Sequence, residues 1–418
     1  MLRQYTACAV ALALCTGCAG GDASWTGTVR DSAGIAIVEN PSTGLWDAGD
    51  APTIRRELDI GTADGPPETQ FGNVAGVTTD SEGRVYILDQ QAKKVRVFDA
   101  DGGFVREMGG EGTGPGELSQ FTAGLLRLAG DTIVVPDPLQ QRVNRYAPDG
   151  TPAGSFPMMM VDGMAIRWDI TPDRRMVHQT RRLPMGPTAP GAAEQPAPGT
   201  TGDPIVVRGL DGSVIDTLAV LPPGKTMTMS GGQMRMTLFE SEPVWDLGPD
   251  GLLVTALNDD YRAHVYSPDG TLARIITLPF QRRPITEADK SQILSALREM
   301  MRSSGAPPEA IEPAIQMMGF AEFFPAFATV LVAPGGQIWV QRVRSPESIA
   351  ASGGQFDITD LGAKEWDAFD GQGRYLGVVE LPDRFTPLHV EGDAIYGVWK
   401  DDLDVQHVLR LRVSGAGA

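Results

Sequence analysis

One unit recurs along this chain and constrains its fold more than any other feature. It is an apolar strand, a polar loop, a second strand and a tight hairpin of Asp-Gly type. The first strand of the unit occurs six times, as Gly83–Asp89, Asp131–Asp137, Arg175–Thr180, Gly251–Leu257, Gln337–Arg342 and Ala394–Trp399. The second strand follows as Val95–Phe98, Val143–Tyr146, Ile205–Arg208, His264–Tyr266 and Trp366–Phe369. Asp101-Gly102, Asp149-Gly150, Asp211-Gly212, Asp269-Gly270 and Gly371–Gly373 then supply the hairpins. Asp-Gly between apolar runs favours the primed turns of hairpins, because those turns need positive φ. A further strand begins after each hairpin, as in Phe104–Met108 and Leu272–Ile276.

Each unit is thus a four-stranded antiparallel sheet of about 40–60 residues. Its strands are apolar on both parities, as expected of a sheet covered on both faces. Radial stacking covers both faces and leaves only short, protected edges. The expected fold is all-β, a six-bladed β-propeller of four-stranded antiparallel blades over residues 51–413. The sixth unit has Val408–Val413 as its third strand and then runs out of chain. The predicted fourth strand is Thr53–Ile60, which precedes the first full unit and would close the ring.

The sequence resembles six-bladed propellers with NHL-type repeats. The resemblance is clearest in Asp80–Asp89 through Val95–Asp99 to Gly109, followed by the loop Gly110-Glu-Gly-Thr-Gly-Pro-Gly-Glu117. It weakens in units 3, 5 and 6. It is also similar to propeller lipoproteins of unassigned function from environmental bacteria. That glycine-rich loop precedes no helix and lacks Lys-Ser/Thr, so it is read as an inter-blade connection and not as a phosphate cradle.

All 3 cysteines of the 418 residues lie in the first 18, as Cys8, Cys15 and Cys18. The remainder therefore excludes a disulfide scaffold, a Cys-ligated zinc site and a cysteine nucleophile. The apolar run Ala7–Leu14 is too short to span a bilayer, at about 20 residues. With Cys15-Thr-Gly-Cys18 it resembles a bacterial lipoprotein signal, although Cys15 stands where Leu is usual. The resemblance implies a signal peptide over 1–17, lipidation at Cys18, a tether over 18–50 and membrane attachment through the lipid. Ala19 after that cysteine implies an outer-membrane lipoprotein of the cell envelope. The formal net charge of −18 opposes nucleic-acid partners, which need clustered Lys and Arg.

Two insertions interrupt the repeat. Pro184–Pro204 is rich in Pro, Ala, Gly and Thr and reads as a loop without structure of its own. Between units 4 and 5, residues 286–320 carry a helical pattern, with Thr286 and Asp289 as a capping pair and Ile293, Leu294, Leu297, Met300 and Met301 on one face. A second short helix is expected over Pro308–Met318. The methionines 300, 301, 317 and 318 form either an adaptable binding surface or a face packed on the outer rim of the propeller.

Loops at one end of a propeller surround its channel. The aligned strands bring Asp89, Asp137, His178, Arg342 and Trp399 to that end, with Gln90, Gln91, Arg181, Arg182, Asn258, Asp259, Arg344, Lys400 and Asp401 just beyond. Basic groups come from units 3, 5 and 6 and acidic ones from units 1, 2 and 4. A small anionic or zwitterionic ligand would suit such a split. The alternative is that Asp89 and Asp137 close loops through side-chain-to-backbone bonds. The four histidines, His178, His264, His389 and His407, lack zinc-ligand spacing. Calcium on the acidic side would need only loop oxygens. No organic cofactor and no catalytic motif is evident. The expected function is a binding module for an unknown small molecule or envelope protein. The alternative is a metal-dependent hydrolase or lyase at the channel mouth.

Overall fold

The computed structural model describes residues 25–47, 49–158, 163–181, 202–223, 228–230, 233–352, 355 and 360–415. The proposed signal peptide, Cys18, Arg182 and most of the Pro184–Pro204 insertion lie outside these residues.

Six blades, each built on four antiparallel strands, are arranged as the repeat predicts, and the fold is a six-bladed propeller. In chain order the blades are built on Val74–Gly109, Leu126–Pro157, Met164–Leu221, Pro243–Thr277, Val330–Glu380 and Phe385–Ser414. The repeat read from sequence corresponds to the second and third strands of each blade. These are the most thoroughly buried: Val85, Ile87, Leu88, Val95, Val97 and Phe98 of blade 1 are all closed to solvent. Apolar residues of both parities are needed because each sheet packs against a neighbour on either side.

Ring closure follows the expected route. Thr53–Ile60 pairs antiparallel with Gln406–Ser414, from Ser414 opposite Thr53 to Val408 opposite Ile60. Leu58 and Ile60 join Val77, Ile87, Tyr396 and Val408 in one cluster that fuses blade 6 to blade 1. The N- and C-terminal parts of the chain therefore share a sheet, and the ring cannot close without both.

Within the region assigned to a tether, residues 28–39 contain ordered structure. Thr28–Ser32 and Ile35–Glu39 form a hairpin, and its second strand pairs parallel to Leu272–Thr277. Blade 4 thereby becomes a six-stranded sheet. Asn40 is buried and bridges two blades, donating to the carbonyls of Thr277 (3.2 Å) and Gly373 (2.9 Å) and accepting from the Tyr375 N–H (2.7 Å). Ile35-Ala-Ile-Val38 is apolar, whereas its partner strand, Thr28-Val-Arg-Asp-Ser32, is exposed throughout.

The insertion forms α1 (Glu287–Ser303) and α2 (Pro308–Gln316). The Thr286–Asp289 capping box is present, with the Asp289 N–H donating to Thr286 Oγ1 (3.2 Å) and Thr286 N–H to Asp289 Oδ2 (2.9 Å). A third helix, α3 (Pro346–Ser352), comes from blade 5, and Met318–Phe320 pairs parallel with Gln233–Leu238 from the connection between blades 3 and 4. The apolar face of α1 does not lie on the outer rim. Ile293, Ala296 and Leu297 pack with Ile311, Ile315, Phe239, Phe324 and Ile349 in a separate core, and Met300, Met301 and Met318 are packed against it. This cap was not legible in sequence because its parts come from three separated segments.

Candidate functional site

The acidic column expected at the channel mouth is an internal brace. Asp89 is buried and accepts from the N–H groups of Gly72 (3.2 Å), Asn73 (3.2 Å) and Ala92 (3.1 Å). Arg96 lies 3.2 Å from it. Asp137 accepts from Ser119 N–H (2.8 Å), Ser119 Oγ–H (2.6 Å) and Gln140 N–H (3.1 Å). In each case a buried carboxylate at the end of the second strand ties the preceding connection to the following loop by accepting from their N–H groups. Asn258 does the same in blade 4, accepting from Glu242 N–H (2.6 Å) and donating to the Phe327 carbonyl (2.9 Å). These oxygens face N–H donors, so Asp89 and Asp137 offer no calcium-like shell. Among the described residues, no three of His, Cys, Asp and Glu gather closely enough to hold a metal.

Several of the other candidates are also drawn inward or aside. His178 is buried between Trp168 (ring centroids 4.6 Å apart) and Arg208, whose Nε donates to His178 Nε2 (2.7 Å). Burial, then the Arg208 charge, pushes the His178 imidazole down to about 4, so it is neutral. Arg181 donates to Asp203 (3.1 Å). Arg342 donates from two nitrogens to Asp367 Oδ1 (3.1 and 2.7 Å), a carboxylate that also accepts from the hydroxyls of Tyr261 (2.8 Å) and Tyr375 (2.9 Å). Burial followed by the Asp367 charge pushes Tyr375 up to about 12. Trp399 lies under Arg56 (4.5 Å) and beside His407 (5.2 Å). Asp259 sits in the turn Asn258–Tyr261 and is not among the residues lining the cleft described next.

Three of the candidates, Asn258, Arg344 and Lys400, are brought together by the fold. They line a cleft of about 800 Å³ at the channel mouth, between the helical cap and the ends of blades 1, 4, 5 and 6. Arg344 is held between Asp383 (2.9 Å) and Asp360 (4.0 Å), with 12% of its side chain exposed. Arg384 adds a third basic group, donating to the Asp401 carbonyl (2.6 Å) and pairing with Asp404. Glu240 and Glu242 face them from the connection between blades 3 and 4. The lining therefore mixes both charges with the amides Asn73, Gln341 and Gln406. Sequence reasoning missed the acidic members because Glu240, Asp360 and Asp383 lie in connections outside the aligned repeat. Gln341 was passed over because it lies on the opposite parity to Arg342.

The cleft opens into the central channel, since Thr329, Gln341, Asp360, Thr386 and Leu388 line both. The channel holds about 460 Å³ and is walled by the innermost strand of every blade. On its wall Asp246 accepts from Arg167 Nη2 (2.6 Å) and from Val332 N–H (2.7 Å). Asp169 lines the same space; burial, then the Asp246 charge, pushes its carboxyl up to about 7. Two neighbouring carboxyls in a confined channel cannot both ionise freely.

Comparison with known proteins places the fold. The DUF5128 family, described as 6-bladed beta-propellers, matches residues 67–157. No curated protein matches the sequence. A protein of Bacteroides fragilis NCTC 9343 whose name describes it as exported superposes with a TM-score of 0.50 at 13% identity, covering 90% of this chain and 99% of its own. A member of the DUF4221 family from Bacteroides vulgatus ATCC 8482 gives 0.52 at 10% identity, covering 88% and 100%. Virginiamycin B lyase from Staphylococcus aureus gives 0.43 at 11% identity, covering 86% and 99%. At these identities the likeness is one of fold. Among the described residues, no helix is long and apolar enough to cross a membrane.

Proposed function

We propose that this chain is a lipid-anchored, extracytoplasmic binding module, attached through Cys18, that takes a small polar ligand of mixed charge in the cleft under its helical cap. The observation that carries the reading is the cleft itself. Its volume of about 800 Å³ is within the range of ligand sites, roughly 300–1,000 Å³. Arg344, Arg384 and Lys400 stand among Glu240, Glu242, Asp360 and Asp383, so a zwitterion finds partners for both ends. Arg344 is fixed by two carboxylates, and such fixed groups orient a ligand without first being ordered. The metal-dependent alternative finds no set of three His, Cys, Asp or Glu ligands among the described residues. The relative named as exported agrees with an extracytoplasmic location.

The test has two arms. The full chain and a Lys400→Glu, Arg344→Glu variant are equilibrated with the same low-molecular-weight cell extract, and retained compounds are identified by mass spectrometry. A compound held by the native chain and released by the variant supports the cleft; equal retention by both excludes it. Palmitate labelling in cells, lost in Cys18→Ala, tests the anchor separately.

A further inference from the structure

The end of the channel opposite the cleft is formed by the turns that join the first and second strands of each blade. In blades 1 to 5 these turns share one hydrogen-bond frame. It is closed by Asp80 N–H to Arg84 O (3.1 Å), Leu128 to Thr132 (2.8 Å), Thr171 to Arg175 (2.9 Å), Gly248 to Leu252 (2.9 Å) and Ala333 to Gln337 (2.8 Å). The fourth residue of the frame has positive φ. It is Gly83 (78°), Gly251 (87°) and Gly336 (72°) in blades 1, 4 and 5, but Asp131 (53°) in blade 2 and Arg174 (63°) in blade 3. A side chain in this left-handed region carries a backbone cost that glycine does not. Such an outlier points to a role for the side chain.

Both exceptions serve one cluster. Arg127, buried at the end of the innermost strand of blade 2, lies 3.9 Å from Asp131 and 3.1 Å from Glu391 Oε1. Arg174 reaches the same Glu391 oxygen at 3.9 Å. Asp131 is already engaged by the N–H (3.1 Å) and hydroxyl of Ser81. Two guanidiniums therefore share one carboxylate oxygen. His389 stands beside them, 3.7 Å from Glu391 Oε2 and 3.2 Å from Thr79 Oγ1. Burial, then the Arg127 charge, pushes the proton affinity of Arg174 below its ordinary value, as expected of like charges held together. Arg127, Arg174, His389 and Glu391 all line the channel cavity.

We infer that this end of the channel is a second binding site, for a small monocarboxylate whose carboxylate joins that of Glu391 between Arg127 and Arg174. Planar guanidiniums pair with carboxylates through two parallel N–H donors. Asp131 and Glu391 balance the two guanidiniums, so a second carboxylate binds by taking N–H donors that face the cavity and not by neutralising a net charge. Asp169 and Asp246 face the same cavity from blades 3 and 4, and their charge disfavours dianions such as phosphate. Arg174 would then be retained at a glycine position because it supplies half of the clamp. The inference is independent of the cleft at the other end.

Thermal unfolding of the full chain, with propionate, inorganic phosphate or chloride as sodium salts at equal ionic strength, tests it. Propionate should raise the melting temperature above chloride by roughly 2–4 °C near saturation, and phosphate should do less. Arg174→Gly should melt no lower than the native chain without ligand, since it restores the turn residue of blades 1, 4 and 5, and should lose the propionate effect. Arg174→Lys, which keeps the charge without the fork, should lose at least half of it. Equal behaviour of propionate and chloride on the native chain overturns the site. A propionate effect retained in Arg174→Gly overturns the role of Arg174. A lower ligand-free melting temperature in that variant would mean that Arg174 is a structural strut, which also overturns it.

Discussion

The two ends of the ring are built from the same repeat and differ in what is added to it. At the end opposite the cleft the connections are short turns, and in blades 1 to 5 the turns differ at single residues such as Arg174 and Asp131. At the end that bears the cleft the connections carry the helical cap, the segment Gln233–Leu238 and α3, and the cleft is lined by Phe239, Glu240 and Glu242 and by Ser348, Ala351 and Ser352 of α3. The contrast separates two ways of making a polar site on a rigid scaffold. A short turn places one side chain at a fixed height, at the cost of backbone strain. A long insertion encloses volume, but its core must be self-sufficient, and Ile293, Leu297, Ile311 and Ile349 supply that here. Both depend on a closed ring, because each site draws on blades far apart in sequence.

The largest expected effect erases the comparison. Deleting 53–60, or ending the chain before Val408, removes one partner of the closing sheet and exposes the cluster around Ile60, Tyr396 and Val408. Loss of a single cooperative unfolding transition is expected, measured by circular dichroism on heating. A variant lacking 53–60 that still melts as one sharp transition would show that closure is dispensable.

A smaller effect separates bracing from binding at the end that bears the cleft. Asp137→Ala leaves three partly buried donors of Ser119 and Gln140 without their acceptor. Bonds to a charged group of this kind are each worth about 1.5–3 kcal/mol, so denaturant unfolding should show a loss of roughly 3 kcal/mol. A loss below about 0.5 kcal/mol, the level of ordinary surface changes, would return Asp137 to the list of ligand candidates.

The smallest effect belongs to the channel and depends on pH. The Asp169 carboxyl is raised from 3.8 to about 7 in the folded protein. The unfolded chain therefore releases this proton more readily, and folding loses stability as pH rises from about 4 to about 7. Asp169→Asn should remove that decline. At pH 8 it should stabilise the protein by on the order of 1 kcal/mol, because the shift is shared with Asp246, and at pH 4 it should be close to neutral. Equal effects at both pH values would mean that Asp169 ionises freely.

Much of the fold was legible because its signals are local. Asp-Gly hairpins and doubly apolar strands recur from blade to blade, and the missing sixth hairpin pointed to Thr53–Ile60 as the closing strand. The docking of Ile35–Glu39 on blade 4 was not legible, since parallel pairing with residues more than 230 positions later leaves no local trace. For the sites, alignment located the right end of each strand without the direction of each side chain. Asp89 and Asp137 have the local pattern of loop closers, and the structure puts them in that role. Arg344 and Lys400 were named as loop residues just beyond the aligned strands, whereas Asp360 and Asp383, the partners of Arg344, come from connections that no repeat aligns.

The sequence by itself determined the number of blades, the order of strands and the closing of the ring, because periodicity and turn chemistry act between near neighbours along the chain. Only the tertiary structure decided which charges meet. Arg127, Arg174 and Glu391 come from three different blades, and Arg344 and Lys400 from two. Their separation is set by the circumference and packing of the ring, which no segment of the sequence specifies alone.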